Sequence, residues 1–341
     1  MTKRSVALPL SVILCALLLY LCVRVGSVGT SAAEIARIVS HKVFGTSAEG
    51  IEPGKISIIW NIRIPRVLTS FLVGAALSAG GVIMQSVLQN PLASAYTLGV
   101  SSGASVGVTG VMIASAYFPM LLTGRVLMPL AGFVCGFLTV AAALALSRLV
   151  SGSSRNYAVI LTGMVLSLFL NAVIVLVSSF DIRYTARIQL WQMGSFGGST
   201  FYNAAIMGAV DILCLVLLMG MSSELDMLTF GERQSTAMGV NTSRSRVVLL
   251  LIASVLTGVS VCFSGIIGFV DLIAPHVVRR IFGPGHKKLL PLSMLYGGTF
   301  MALCDLVSRS LFAPREISVG AVTAMIGAPF FAYLFFGRKK L

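Results

Sequence analysis

A chain of 341 residues has the length for two or three soluble domains, yet 57% hydrophobic residues, 11% charged ones and a mean hydropathy of +0.95 exclude that organisation. The composition is that of an integral membrane protein. The net charge of +14 then reads as the bias of Lys and Arg toward the inner face of a membrane, with no claim of nucleic-acid binding.

Charge-free intervals run over 5–23, 67–124, 126–147, 156–180, 188–210, 247–270, 289–304 and 317–337. A helix crosses the hydrocarbon core with about 20 residues, so most intervals hold one pass, and the 58 residues of 67–124 hold two. The alternating decads of a membrane β-barrel are absent, which leaves helices as the way to satisfy the backbone in lipid. The fold class is all-α, a single transmembrane domain over 1–341.

In chain order, the first span, 6–25, follows a basic MTKR as in a signal peptide, but its apolar stretch is long enough to cross and is expected to be retained. An outer loop, 26–64, leads to spans at 65–87, 95–116, 126–149, 157–180 and 203–221. A cytoplasmic loop, 222–245, leads to spans at 246–264, 267–281, 290–312 and 318–336; the span 267–281 is short and holds Asp271 and His276. Ten spans place both termini on one side. Lys3, Arg4, Arg338, Lys339 and Lys340 mark that side as cytoplasmic. Small residues four apart (Gly74 and Ser78, Gly103 and Gly107, Gly132 and Gly136) predict close helix contacts in a compact bundle. Six cysteines lie singly in apolar runs and read as packed thiols.

"NIRIPRVLTS" (61–70) places Arg63 and Arg66 at the mouth of the longest uncharged run. Pro65 is expected at the first turn of the second span, and the i, i+3 spacing to put both guanidiniums on one face. Arginine at an outer helix N-terminus opposes the helix dipole and calls for an anionic partner, with lipid phosphate as the alternative. In the inner loop, "SSELDMLTFGERQSTAMGVNTSRSR", Ser222 and Ser223 are expected to cap one short helix and Gly231 to break it. "ERQSTAM" forms a second, stopped by Gly239. Two short helices on the inner face suit docking to another protein, or alternatively lie on lipid.

No G-x-x-x-x-G-K-[ST] occurs, and "GPGHKK" (283–288) lacks its spacing, so the chain alone does not hydrolyse ATP. His41, His276 and His286 are scattered, with no H-E-x-x-H and no visible Ser/His/Asp set. That points away from an enzyme, a cofactor or a metal site. Asp211, Asp271, His276 and Asp305 lie in or near spans, where charge is expensive. A proton-coupled secondary transporter would use these carboxylates as a relay; Asp211 and Asp305 are instead read as lying near helix ends, where pairing with arginine is cheap.

Four stretches carry a family resemblance: "RIPRVLTSFLVGAALSAGGVIMQSVLQNPLASAYTLGVSSGASVG" (63–107), "LTFGERQSTAMGV" (228–240), "SGIIGFVDLIAPHVVRR" (264–280) and "DLVSRSLFAPREISVGAVTAMIGAPFF" (305–331). With R-x-P-R, Q-x-x-x-x-N-P-L-A and A-P-H-x-x-R combined, the chain resembles the FecCD family, permease subunits of type II ABC importers for iron-siderophore, haem and cobalamin. The resemblance implies a ten-helix protomer in a pair, working in a prokaryotic plasma membrane with two cytoplasmic ATPases and an extracytoplasmic binding protein. It implies that Arg63, Arg66 and Arg309 grip acidic side chains of the binding protein. Asn90, Leu92, Ser153 and Ser154 would close the cytoplasmic gate, and Glu232, Arg233, Ala237, Met238 and Gly239 would couple to the ATPase. Two positions depart from the pattern: Asp271 replaces a small residue, and Ser318 replaces the proline of E-x-P-V-G.

Overall fold

The computed structural model describes residues 3–26, 28–47, 49–117, 127–149, 155–180 and 182–337. Every regular element among these residues is helical. In order they are α1 (Lys3–Arg24), α2 (Ala32–Phe44), α3 (Pro53–Val87), α4 (Val100–Tyr117), α5 (Leu127–Ser147), α6 (Arg155–Phe180), α7 (Ile182–Gln192), α8 (Phe201–Gly220), α9 (Ser222–Leu228), α10 (Glu232–Ala237), α11 (Thr242–Ser264), α12 (Val270–Phe282), α13 (His286–Ser310) and α14 (Val319–Gly337). Seven of them (α1, α3, α5, α6, α8, α11 and α13) are long and apolar enough to cross a membrane. The apolar parts of α4 and α14 are shorter, and α12, the short polar span, has 13 residues. Each of the ten expected spans is therefore a helix.

Helix α3 is the axis of the bundle. Of its apolar window 83% is buried, against 17% in α1 and in α6. It packs on α8, α11, α12 and α13, while α5 joins α4 and α6 to α11. The small residues explain how backbones approach so closely. A Cβ on Gly74 would stand 2.4 Å from the Gly297 carbonyl oxygen, and one on Gly297 would stand 1.7 Å from Ser78 Oγ. One on Gly81 would stand 1.8 Å from the Asp271 carbonyl oxygen. Between α4 and α5, Gly103 meets Thr139 and Cys135, Gly107 meets Ala131, and Gly136 meets the Val100 carbonyl. All three expected small-residue pairs lie at helix contacts.

With outer and inner named by the orientation expected from the charges, the outer loop departs most from expectation. Ser31 and Glu34 form a reciprocal capping box that starts α2 within it. Helix α3 starts at Pro53, about three turns before the expected start. Pro65 therefore stands inside a continuous helix, at the beginning of its regular α-helical stretch Ile64–Val87. The π-helical turn Ile58–Arg63 just before it widens the register where the ring offers no N–H. The dipole argument for a charge at that point falls with the correction, because no helix terminus lies there. At the other end of the chain, Ser318 starts α14: its Oγ accepts from the Ala321 N–H at 3.3 Å, and its hydroxyl donates to the Met193 carbonyl.

The two short helices of the inner loop are α9 and α10, ended by Gly231 at φ 101° and Gly239 at φ 88°. The cap of α9 differs from expectation. Met221 occupies the N-cap without a side-chain bond, and the Ser222 hydroxyl donates back to the Met219 carbonyl at 2.8 Å.

Candidate functional site

Polar side chains gather at both ends of α3. At the outer end Arg66, 5% exposed, divides its guanidinium between two carboxylates. Its Nε donates to both Asp305 oxygens at 3.0 Å, and its Nη2 donates to Asp305 Oδ1 at 2.9 Å and Glu316 Oε2 at 3.0 Å. Nη1 donates to Glu316 Oε1 at 2.7 Å. Asp305 is fully buried on α13, whereas Glu316, before α14, keeps 45% of its side chain exposed. The hydrogen bond from Arg66 holds the Glu316 carboxyl below the usual carboxylate range.

Arg63 turns elsewhere. Its guanidinium closes the C-terminus of α1, donating to the carbonyls of Arg24 at 3.1 Å, Val23 at 3.4 Å and Val28 at 2.6 Å, and to Thr30 Oγ1 at 3.3 Å. Arg309 donates to the Cys22 carbonyl of the same helix end, and its Nε lies 3.6 Å from Asp305 Oδ2. Two arginines thus satisfy carbonyls that the end of α1 leaves unpaired, where the helix dipole favours a cation. Arg63 and Arg66 take different partners: one serves α1, the other α13 and the turn before α14. The anion required for Arg66 is supplied within the chain.

At the inner end, Gln85 of the Q-x-x-x-x-N-P-L-A stretch binds the A-P-H-x-x-R stretch. Its Nε2 donates to the Asp271 carbonyl at 3.2 Å, and its Oε1 accepts from Arg279. Asp271 accepts from the Ser94 hydroxyl, and Ser94 Oγ accepts from the Tyr96 N–H at 3.2 Å, fixing the 3-10 turn Ala95–Leu98. Asp271 thus ties α12 to the segment that follows Asn90 and Leu92. Asn90 Oδ1 accepts from the Leu92 N–H at 2.9 Å, and Leu92 is 50% exposed. Ser153 and Ser154 lie outside the described residues.

Alongside stands a set that sequence spacing concealed. Asp226 Oδ1 on α9 accepts from the backbone N–H of His286 at 3.0 Å and lies 2.6 Å from its Nδ1. His286 Nε2 lies 2.6 Å from Ser86 Oγ on α3. A Ser/His/Asp alignment therefore exists, against the reading from spacing. It does not make a nucleophile: Ser86 is buried in the last turn of α3 and its hydroxyl lies 2.8 Å from the Val82 carbonyl. Gln89 Nε2 adds a bond to the Leu228 carbonyl at 3.0 Å. Of the expected coupling residues, Glu232 pairs with Arg246 of α11, whereas Arg233, Ala237, Met238 and Gly239 are exposed on one short stretch.

The three intramembrane carboxylates share no partner. Asp305 pairs with arginine, Asp271 binds Ser94, and Asp211 stands midway along α8 rather than near its end, with no hydrogen-bond partner for either oxygen among the described residues.

The profile of the FecCD transport family matches residues 13–337. The chain belongs to the FecCD transport family. It is 37% identical to the uncharacterized ABC transporter permease protein YvrB of Bacillus subtilis, over 92% of this chain and 89% of that protein. It is 33% identical to the molybdate import system permease protein MolB of Haemophilus influenzae, over 93% and 91%. A solved structure described as an inward-facing conformation of an ABC transporter of the metal-chelate type superposes with a TM-score of 0.78 at 30% identity, covering 96% of this chain and 99% of that one. As a FecCD protein the chain is an ABC transporter permease, a membrane subunit without catalysis of its own. The four stretches that carried the resemblance meet in space: R-x-P-R joins the block 305–331 at the outer end of α3, and Q-x-x-x-x-N-P-L-A joins A-P-H-x-x-R and, through Gln89 and Leu228, the stretch 228–240 at the inner end.

Proposed function

We propose that this permease imports a ferric siderophore, or a similar metal chelate such as haem or cobalamin, across a prokaryotic plasma membrane, with both termini cytoplasmic. A second copy of the chain completes the translocation path, separate cytoplasmic ATPases drive it, and an extracytoplasmic binding protein delivers the cargo. The observation that carries this reading is the joining of the family's stretches at opposite ends of one buried helix: one end is available to a delivering partner and the other to a motor. The metal-chelate description of the superposed structure supports the cargo class. The name of MolB supports an oxyanion as the second choice.

Arg66 and Arg309 face the carboxylates of Asp305 and Glu316, and Arg63, turned to the end of α1, gives these five groups a surplus of one positive charge. Acidic side chains of the binding protein answer that surplus, and half-exposed Glu316 is the in-chain partner they displace. Asn90, Leu92, Ser153 and Ser154 form the inner gate. Arg233, Ala237, Met238 and Gly239, with Glu232 behind them, form the ATPase-coupling surface.

A proton-coupled secondary transporter fits less well, because Asp211, Asp271 and Asp305 form no continuous relay. The deciding experiment copurifies the chain with its ATPase, identifies the binding protein by the iron chelate it retains, and measures vanadate-sensitive uptake of that chelate into proteoliposomes. Accumulation by the lone chain on a proton gradient overturns the proposal. For docking, Arg63→Glu/Arg66→Glu is assayed for uptake beside the yield of assembled complex; full uptake excludes the arginines from that role.

A further inference from the structure

The inner loop holds on to the bundle in two ways. Helix α10 reaches α11 through Glu232 and Arg246, both near the loop itself. Helix α9 reaches farther. Asp226 takes the first N–H of α13, and the same carboxylate oxygen lies 2.6 Å from His286 Nδ1. Across the imidazole, Nε2 lies 2.6 Å from Ser86 Oγ in the last turn of α3. His286 is 1% exposed, so the ring is a buried strut between loop and helix. Gln89, just past the end of α3, grips the Leu228 carbonyl at the far end of α9. A cavity of about 360 Å³ opens beside these contacts, lined by Gln85, Gln89, Phe230 and Arg279 among others, and borders α9 at Asp226.

We propose that His286 is the joint through which movement of α9 reaches α3 and α13. Asp226 delivers the displacement to the ring and Ser86 receives it one turn from the Asn90–Leu92 turn. The inference rests on the reading of the inner loop as the surface met by the ATPase, and it deepens that reading by naming the positioning residues behind it. The joint requires both ring nitrogens at once. An asparagine at 286 keeps a side-chain donor for Asp226 but cannot reach Ser86; a glutamine reaches toward Ser86 but keeps only the backbone N–H for Asp226.

The test uses the full transporter, chain with ATPase, carrying Leu92→Cys as a reporter at the half-exposed inner turn. Five of the six native cysteines are buried and the sixth half-buried, so the same chain without the reporter supplies the background. Maleimide labelling of the reporter is compared before and after trapping with MgATP and vanadate, normalised to trapped nucleotide. With His286 intact, trapping is expected to change the labelling rate by about fivefold or more, the span of an ordinary coupling between sites. Ser86→Ala, His286→Asn and His286→Gln are each expected to abolish the change while still trapping nucleotide. Ser86→Ala removes one hydroxyl and keeps the Asp226 cap, so it decides the matter should a His286 variant fail to assemble. A full response in Ser86→Ala or in His286→Asn overturns the joint and leaves His286 a helix cap. No response with His286 intact overturns the reading of the inner loop and the joint with it.

Discussion

The two ends of α3 solve one problem with different chemistry. At the outer end a full charge, Arg66, is buried and its cost is met by carboxylates from elements 239 and 250 residues away. At the inner end the contacts centre on Gln85, Ser86, His286 and the Asp226 carboxylate of α9, closing over 186, 200 and 60 residues by hydrogen bonds. A buried ion pair is costly to break, because the surviving partner keeps its desolvation penalty. A hydrogen bond of moderate strength is exchanged for another at small net cost. The outer end is therefore built to hold and the inner end to be re-formed.

The largest effect expected is at the outer end. Asp305→Ala leaves Arg66 buried with only half-exposed Glu316, at a cost of about 3–5 kcal/mol. Thermal unfolding in detergent, followed by a maleimide dye that reports exposure of the buried thiols, reads this loss; a midpoint close to that of the native chain would reverse the ranking of the two ends. Gly297→Ala follows: its methyl meets Ser78 Oγ and the Gly74 backbone, and overpacking of this kind costs about 1–3 kcal/mol by the same assay. Gln85→Ala at the inner end comes third. It removes two hydrogen bonds at about 1 kcal/mol each, less whatever solvent in the adjoining cavity restores. A loss equal to that of Asp305→Ala would erase the contrast.

Glu316 gives the smallest effect and a pH signature. Its folded pKa is depressed by Arg66, so its contribution is present above the ordinary carboxylate pKa and is lost as pH falls through the lowered folded value. Being half exposed, the pair contributes at most about 1 kcal/mol. Glu316→Gln is expected to flatten the acid limb of the unfolding midpoint. In a pull-down it is expected to tighten binding of the delivering protein, and unchanged or weaker binding refutes displacement of Glu316.

Hydropathy made seven of the ten spans legible because each is long and apolar enough to cross; α4 and α14 are shorter, and α12 was marked by its flanking glycines and charges. The glycine contacts were legible because period-four spacing on a lipid helix has few other uses. Helix α2 and the extension of α3 were hidden in a polar stretch; the available signals were Ser31 three residues before Glu34, Gly45 closing α2 and Pro53 opening α3. Pro65 misled because proline at a helix start and proline after a π-helical turn look alike in one dimension. The partners of Arg66 and His286 were beyond reach, since no local pattern ties Arg66 to Asp305 or Asp226 to His286. "GPGHKK" does announce a helix start at His286, but nothing in it points back to Asp226.

The glycine contacts along α3 have a mechanical consequence. Where Gly74 lies on Gly297 and Gly81 on the Asp271 carbonyl, no side chain stands between the backbones to act as a bearing. Helices α3, α12 and α13 are keyed together like a wedge, and sliding one past another would drive backbone into backbone. In a permease built this way, relative movement is expected between the wedge and the helices around it rather than within the wedge.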